Sequence, residues 1–370
     1  MEYLVPALCG FFLFIHLFFQ FKWWIGLSKV NKRQKALAKT EVGVSVIVCA
    51  HDEEENLKAL IPLLLAQDYP NFEVIIVDDR SNDGTYDHLL GLKDSTPKLK
   101  MVRVDNSPNH VNGKKYGLTL GIKAAANDIV LLTDADCRPA SNQWVAEMAK
   151  GLNSEKIQFV LGYSPYYTEK GFLNNFIQWE TTITGINYLG SVGVGGAFMG
   201  VGRNLAYRKS FFLDNKGFNA HLKVTGGDDD LYVNAHATSQ NTVAIVNPQA
   251  LVYSHPKKSF GTYWTQKLRH LSVGKRYNAG DKINLGLWSF SQIGFWVTLL
   301  ILALSNTQPY WALGGFLGRE VLTLGLLSYF HRLTGHRFSY WALPVIDLFY
   351  GVYLLLVGGR ATFAKRVKWT

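Results

Sequence analysis

The chain has 370 residues, of which 48% are hydrophobic, 14% aromatic and only 18% charged. That length allows roughly two or three domains and that apolar share buries a core, which excludes disorder; charge below the ~25% of ordinary soluble chains points to membrane spans. The formal net charge is +10, but residues 22–40, 255–282 and 331–370 together carry +17 and the remainder −7, so basic charge hugs apolar segments, against a nucleic-acid partner.

Glu2 to Phe21 is an apolar run of about twenty residues, ~30 Å as a helix and enough for a bilayer core. It lacks a basic leader and a small-residue cleavage site, which sets a signal peptide aside. Lys22 closes it, and Lys29, Lys32, Arg33, Lys35 and Lys39 put its C-terminal side in the cytoplasm. Cys9, Cys49 and Cys137 are scattered, with neither a disulfide frame nor a zinc pattern, which fits a reducing compartment.

From Thr40 to about Asp281 apolar strands alternate with helical stretches, the mark of an α/β fold with a mainly parallel sheet. Val44–Cys49 reads as a buried strand and Glu54–Leu65 as a helix with acids in its first turn. Phe72–Val77 is a second strand, running into the polar turn Asp78-Asp79-Arg80-Ser81-Asn82-Asp83-Gly84-Thr85. Leu99–Val104 is a strand, Gly113–Ala126 a helix and Ile129–Leu132 a strand that leads into Thr133-Asp134-Ala135-Asp136.

Three strands therefore end in acids: Asp52 and Glu53, Asp78 and Asp79, then Asp134 and Asp136. In open α/β sheets that edge is where ligands bind. Carboxylates gathered there repel unless a cation offsets them, and a divalent metal shared with substrate phosphates is the economical explanation. Taken singly, each acid could instead be a turn or helix cap.

The order CAHDEEEN, VDDRSNDGT, NGKKYGL, TDADC resembles the family 2 inverting glycosyltransferases of the A-type fold, over about Val44 to His270. The resemblance implies that Asp52, Glu53 and one of Asp78 or Asp79 contact nucleobase and ribose, that Lys114 lies near the diphosphate, and that Asp134 and Asp136 hold a divalent metal, Mg or Mn, at the donor. Cys49, His51 and Asp52 depart from the family's usual Pro, Tyr and Asn.

Thr184–Tyr207 is glycine-dense and poor in charge; the resemblance makes it part of the acceptor site, with a transmembrane dimer face of the GxxxG type as the plainer reading. Next, Thr225-Gly226-Gly227-Asp228-Asp229-Asp230-Leu231 opens a helix. Acids there suit a helix N-terminus. By resemblance to a Gly-Glu-Asp-x-Asp-Leu motif, Asp228 is the base that takes the acceptor proton, with Gly227 in the Glu position, and a one-residue slip would make it Asp229.

Trp264–His270 (WTQKLRH) resembles the family's Gln-x-x-Arg-Trp element, so Gln266 and Arg269 are expected at the diphosphate and His270 at the acceptor. Lys257, Lys258, Lys275, Arg276 and Lys282 flank it, which equally fits an amphipathic helix lying on the membrane.

Leu285–Leu304, Tyr310–Tyr329 and Tyr340–Gly358 are further span candidates. The middle one carries Arg319 and Glu320, either a membrane-buried ion pair or the mark of an interfacial segment. Three spans would put the basic tail of Arg360, Lys365, Arg366 and Lys368 outside, against the charge rule; two would return it to the cytoplasm. Three is the expectation.

The organisation expected is thus an anchor over 1–22, a cytoplasmic catalytic domain over 41–254, a basic interfacial segment over 255–282 and membrane helices with a basic tail over 283–370. The expected activity is transfer of a sugar, with inversion, from a nucleotide diphosphate sugar, UDP-linked, to a lipid or lipid-linked acceptor at the cytoplasmic face of the cell membrane. A processive polysaccharide synthase is the alternative within the family. A Mg-dependent phosphatase with Asp134 as nucleophile, or a catalytically silent membrane scaffold, are the readings from other classes.

Overall fold

The computed structural model describes residues 3–93, 95–108, 111–305 and 308–363, so the expected tail charges Lys365, Arg366 and Lys368 lie outside the described residues. Helix α1 (Leu4–Lys35) leads into strand β1 (Val44–Ala50), α2 (Glu54–Leu65), β2 (Phe72–Asp79), α3 (Thr85–Lys93), β3 (Leu99–Val104), α4 (Gly113–Ala124), β4 (Ile129–Asp134) and β5 (Cys137–Pro139). Then come α5 (Trp144–Lys150), β6 (Phe159–Gly162), α6 (Phe172–Gly193), β7 (Leu205–Arg208), α7 (Lys209–Asp214), α8 (Asp230–His236), β8 (Thr242–Ile245) and β9 (Val252–Ser254). The chain ends in α9 (Phe260–Gly274), α10 (Ala279–Ser305), α11 (Pro309–Thr334) and α12 (Leu343–Tyr353), which continues through a π-helical stretch, Leu354–Gly358, and a last turn, Gly359–Phe363.

Seven strands form one sheet in the order β3-β2-β1-β4-β7-β6-β8, parallel except that β7 runs against both its neighbours. This is the expected α/β, mainly parallel architecture. The central strands are apolar along their whole length because helices cover both faces: Val46, Ile47, Val48, Val74, Ile75, Ile76 and Val77 are all fully buried, each contributing roughly 1.5–3 kcal/mol. β5 and β9 pair antiparallel in a small separate ribbon.

Helix α1 does not end with its apolar run at Lys22 but carries on through the basic cluster to Lys35. Its second half packs on the α/β domain through Phe19, Trp23, Leu27 and Val30. At its far end the Gln34 amide donates to the Val246 carbonyl at 3.1 Å and accepts the Val246 amide proton at 2.7 Å.

The glycine-dense stretch owes much of its composition to this contact. Its first part is helix α6, not loop, and α6 crosses α1 closely: a Cβ on Gly26 would stand 1.9 Å from the Gly190 carbonyl oxygen, and one on Gly193 2.0 Å from the Gly26 carbonyl oxygen. Small residues let two helix backbones touch. Gly190 and Gly193 thus serve a helix contact within one chain, which is not the dimer face weighed for this stretch.

Among the described residues three helical stretches are long and apolar enough to cross a membrane: Leu4–Lys35, Ala279–Ser305 and Leu343–Ala361. Helix α11, which covers the middle C-terminal candidate, is not among them. Its Arg319 is nonetheless buried between helices, donating to Glu320 at 2.7 Å and to Asp347 of α12 at 2.6 Å. The two charges expected to mark either a buried pair or an interface are thus a buried pair.

Candidate active site

The register of the parallel strands brings the acids together. Cys49 lies opposite Val77 on one side and Asp134 on the other, and Ala50 lies opposite Asp78, so β1, β2 and β4 release their acidic ends at one level of the sheet's C-terminal edge. The loops after β1 and β2 then fasten to each other. The Asp52 amide donates to Ser81 Oγ at 3.0 Å, the Asn82 amide to Asp52 Oδ1 at 2.6 Å, and the Glu53 amide to Thr85 Oγ1 at 3.0 Å.

Asp52 and Arg80 pass through the left-handed region, with φ of 55° and 60°, a strain tolerated where surroundings over-determine the backbone. Asp78 is buried and accepts the Ser81 amide at 3.2 Å, and Asp79 is paired with Arg80 at 2.8 Å. Glu53 accepts from the Asn56 amide group at 2.6 Å. Burial pushes its carboxyl up, against the Asn56 bond, and the nearby Asp136, Asp134 and Asp83 push the same way.

The centre of the site is Lys114, at the start of α4. Its ammonium stands 2.9 Å from Asp134 Oδ1 and 3.4 Å from Asp228 Oδ2. It therefore bridges the expected metal-binding acid of β4 and the first expected base. Burial alone would raise Asp134, but Lys114, then Arg203 and Arg269, hold its carboxyl below the usual range. Likewise burial would lower the Lys114 ammonium, and Asp134 and Asp228 hold it well above its ordinary value.

The three successive acids after Gly227 have separate surroundings. Asp229 is the N-cap of α8, taking the Asp230 amide at 2.8 Å and the Gly202 amide at 2.7 Å. Asp230 accepts the Tyr277 hydroxyl at 2.8 Å and the Leu231 amide at 2.8 Å. Asp228 faces Lys114. The glycine at 227 is demanded by the backbone: φ is +75° there and a Cβ would meet Leu231 Cδ1 at 2.6 Å, which no glutamate could accept.

Asp134, Asp136 and Cys137 offer ligand atoms within 4.8 Å of one another. Two carboxylates suit a hard cation such as Mg²⁺ or Mn²⁺ completed by phosphate oxygens. The Cys137 thiol is fully buried, burial holds it well above its ordinary value, and it donates to Asp136 at 3.5 Å. It therefore steadies a ligand and adds no sulfur to the set. The residues present fit a divalent metal.

Residues 45–214 match the family model for glycosyl transferase family 2. The chain carries a family 2 glycosyltransferase domain. It is 27% identical over 252 residues, 66% of its length, to the probable glycosyltransferase YdaM of Bacillus subtilis, and 30% identical over 134 residues, 35% of its length, to the Escherichia coli UDP-Glc:alpha-D-GlcNAc-diphosphoundecaprenol beta-1,3-glucosyltransferase WfaP. The chain spans 57% and 48% of these two relatives. The mannosyltransferase PcManGT of Pyrobaculum calidifontis, solved with GDP-Man and Mn²⁺, shares the fold across 98% of this chain and 100% of its own, with a TM-score of 0.63 at 17% identity.

Beside the glycosyltransferase domain's acids stand cations from α9 and from the segment before β7. Arg269 of α9 is near enough to Asp134 to depress it; Gln266 is half-buried and His270 exposed on the same helix. Lys267, between them, turns inward to pair with Glu180 of α6. Two residues that motif reading passed over also belong here. Arg203 lies over the Tyr166 ring at 4.5 Å and helps depress Asp134; its position just before β7, beside β4 in the sheet, is the signal that could have found it. Lys115 is wholly buried, and no sequence pattern distinguishes it from Lys114.

Proposed function

We propose that the chain is a membrane-anchored inverting glycosyltransferase that moves a sugar from a nucleotide diphosphate sugar, UDP-linked, to a lipid or lipid-linked acceptor at the cytoplasmic face of the cell membrane. The observation that carries the reading is the Lys114 bridge between Asp134 and Asp228: it supports a donor-phosphate acid and a proton-accepting acid standing on either side of one reacting centre. The lipid acceptor rests on apolar helices at both ends of the catalytic domain and on the diphosphoundecaprenol acceptor in the name of the Escherichia coli relative. The basic cluster after the first apolar run supports the cytoplasmic orientation.

In this mechanism Asp228 takes the acceptor hydroxyl's proton as that oxygen attacks the anomeric carbon from the face opposite the nucleotide. The bond from that carbon to the phosphate oxygen breaks and its electron pair leaves with the nucleoside diphosphate. Lys114 and Arg269 offer positive charge to the departing diphosphate, and the loops bearing Asp52, Glu53, Asp78 and Asp79 receive the nucleoside. Asp134 and Asp136 would hold the divalent metal, which when bound neutralises charge on the diphosphate. Gln266 is assigned hydrogen bonds at the diphosphate and His270 the acceptor.

The test is to incubate membranes containing the protein with a panel of nucleotide sugars labelled in the sugar, with and without chelator. Metal-dependent label in the lipid extract from one donor is expected. Label that enters only a water-soluble polymer would replace the lipid acceptor by processive synthesis.

A further inference from the structure

Lys115 is completely buried, yet its ammonium is not part of an ion pair among the described residues. It donates to three backbone carbonyls of one loop: His221 at 2.8 Å, Val224 at 2.8 Å and Gly226 at 2.7 Å. The same loop is fixed to the start of α4 a second time, through the Asn112 amide and the Leu222 carbonyl at 2.9 Å. It ends in Gly226 and Gly227, with φ of +79° and +75°, and the next residue is Asp228.

Two consecutive lysines therefore act on one segment. Lys114 meets the carboxylate of Asp228, and Lys115 holds the backbone that presents it. Paired left-handed glycines are the most freely rotating joint a chain can have, so a carboxylate carried beyond them needs an external hold. An ammonium with three donors converging on three carbonyls is such a hold. The far side of the segment is fixed as well, by Tyr277 on Asp230 and by Asn278, whose amide donates to Asn234 Oδ1 at 2.9 Å.

We infer that Lys115 is a positioning residue for the transfer reaction, setting the place of Asp228 by gripping the backbone of residues 221–226. It touches no reactant. This rests on Asp228 being the base, and the experiment separates the two ideas.

Turnover and donor affinity are measured for the full-length protein in detergent micelles, for Lys115→Met, Lys115→Arg, Asp228→Asn and the double variant Lys115→Met/Asp228→Asn. Displacing a reacting group by about 1 Å lowers rate by ~100-fold, so Lys115→Met should lose about that much kcat with donor affinity unchanged. In the Asp228→Asn background the same substitution should cause no further loss, because its effect runs through that carboxylate. Lys115→Arg keeps the charge and folds, but a planar fork cannot converge on three carbonyls, so a loss of about tenfold in kcat is expected.

Wild-type kcat in Lys115→Arg, equal losses in both backgrounds, or donor affinity falling in step with kcat would each overturn the inference. Full turnover in Asp228→Asn alone would instead remove the base assignment.

Discussion

Asp229 accepts the Gly202 amide proton through one carboxylate oxygen at 2.7 Å and the Asp230 amide proton through the other at 2.8 Å. Among the described residues its neighbour Asp228 has only the Lys114 ammonium, at 3.4 Å, as a salt-bridge partner. Asp229 has both oxygens committed to backbone donors that fix the start of α8, whereas Asp228 faces the Lys114 ammonium beside Asp134.

Asp228→Asn should therefore lower kcat by ~10²- to 10⁴-fold with an unchanged melting temperature. Asp229→Ala should instead lower stability by about 1–2 kcal/mol, as loss of an N-cap does, while donor affinity persists. Initial rates and thermal melts of the two variants check this, and a folded but inactive Asp229→Ala beside an active Asp228→Asn would transfer the base to Asp229.

Metal dependence should reside in Asp136 and Asp134 together. Asp136→Ala should abolish the enhancement of nucleotide-sugar binding by Mn²⁺, read by calorimetric titration with and without chelator. Asp136 makes no ion pair among the described residues, so the variant should melt normally; Asp134→Ala should also release Lys114 from its 2.9 Å contact. Binding that still responds to Mn²⁺ in Asp136→Ala would place the ion elsewhere.

The first half of the fold was open to reading because its strands are unbroken apolar runs bounded by polar turns. Helix Glu54–Leu65 and strand Leu99–Val104 have the bounds that the sequence pattern gives; acids mark the start of one, and the exposed Lys100 and Arg103 fit the other's place at the sheet edge. Beyond Asp136 local pattern decides less. The reversed strand β7 is four residues long, too short for periodicity, and it exists because β4 and β6 both need an edge partner. The glycines of α6 look like a loop until helix α1, more than 150 residues away in sequence, is seen to lie on them. In the site, residue types and spacing brought out Asp134 and Asp136, and the family resemblance Asp228 and Lys114; the fold brings the four together. What pairing each makes was not legible, because Lys115 and Lys114 differ only in which way the helix turns them.

The contribution of Asp229 and Asp230 to folding stability should fall as pH rises through the acidic range. Burial, then the adjacent Asp229, pushes Asp230 well above the usual carboxylate range despite its bond from Tyr277, and burial followed by Asp228 raises Asp229. A carboxyl raised on folding keeps its proton longer in the folded chain, so its contribution is whole below about pH 4, the unfolded value, and is lost as pH climbs through the folded one. Between pH 4 and neutrality the melting temperature in detergent should fall more steeply, or rise less, with pH for the wild type than for Asp230→Asn. Identical slopes for the two proteins would contradict this.

Arg319 should be the most sensitive position in the C-terminal helices. Its guanidinium donates to Glu320 at 2.7 Å, Asp347 at 2.6 Å and Gln292 at 2.7 Å, while Trp296 and Gln292 each donate to Asp347 at 2.9 Å. The network therefore joins α10, α11 and α12 at a buried point. Removing one member of such a set leaves the others without compensation, typically at about 3–5 kcal/mol, whereas neutralising all of it together is often close to harmless. Arg319→Met should accordingly melt far below the wild type in detergent micelles. The triple variant Arg319→Met/Glu320→Gln/Asp347→Asn should recover most of that loss, because no buried charge is left unmatched. A triple variant no more stable than Arg319→Met would mean that the guanidinium's hydrogen bonds and packing, not charge balance, hold the three helices together.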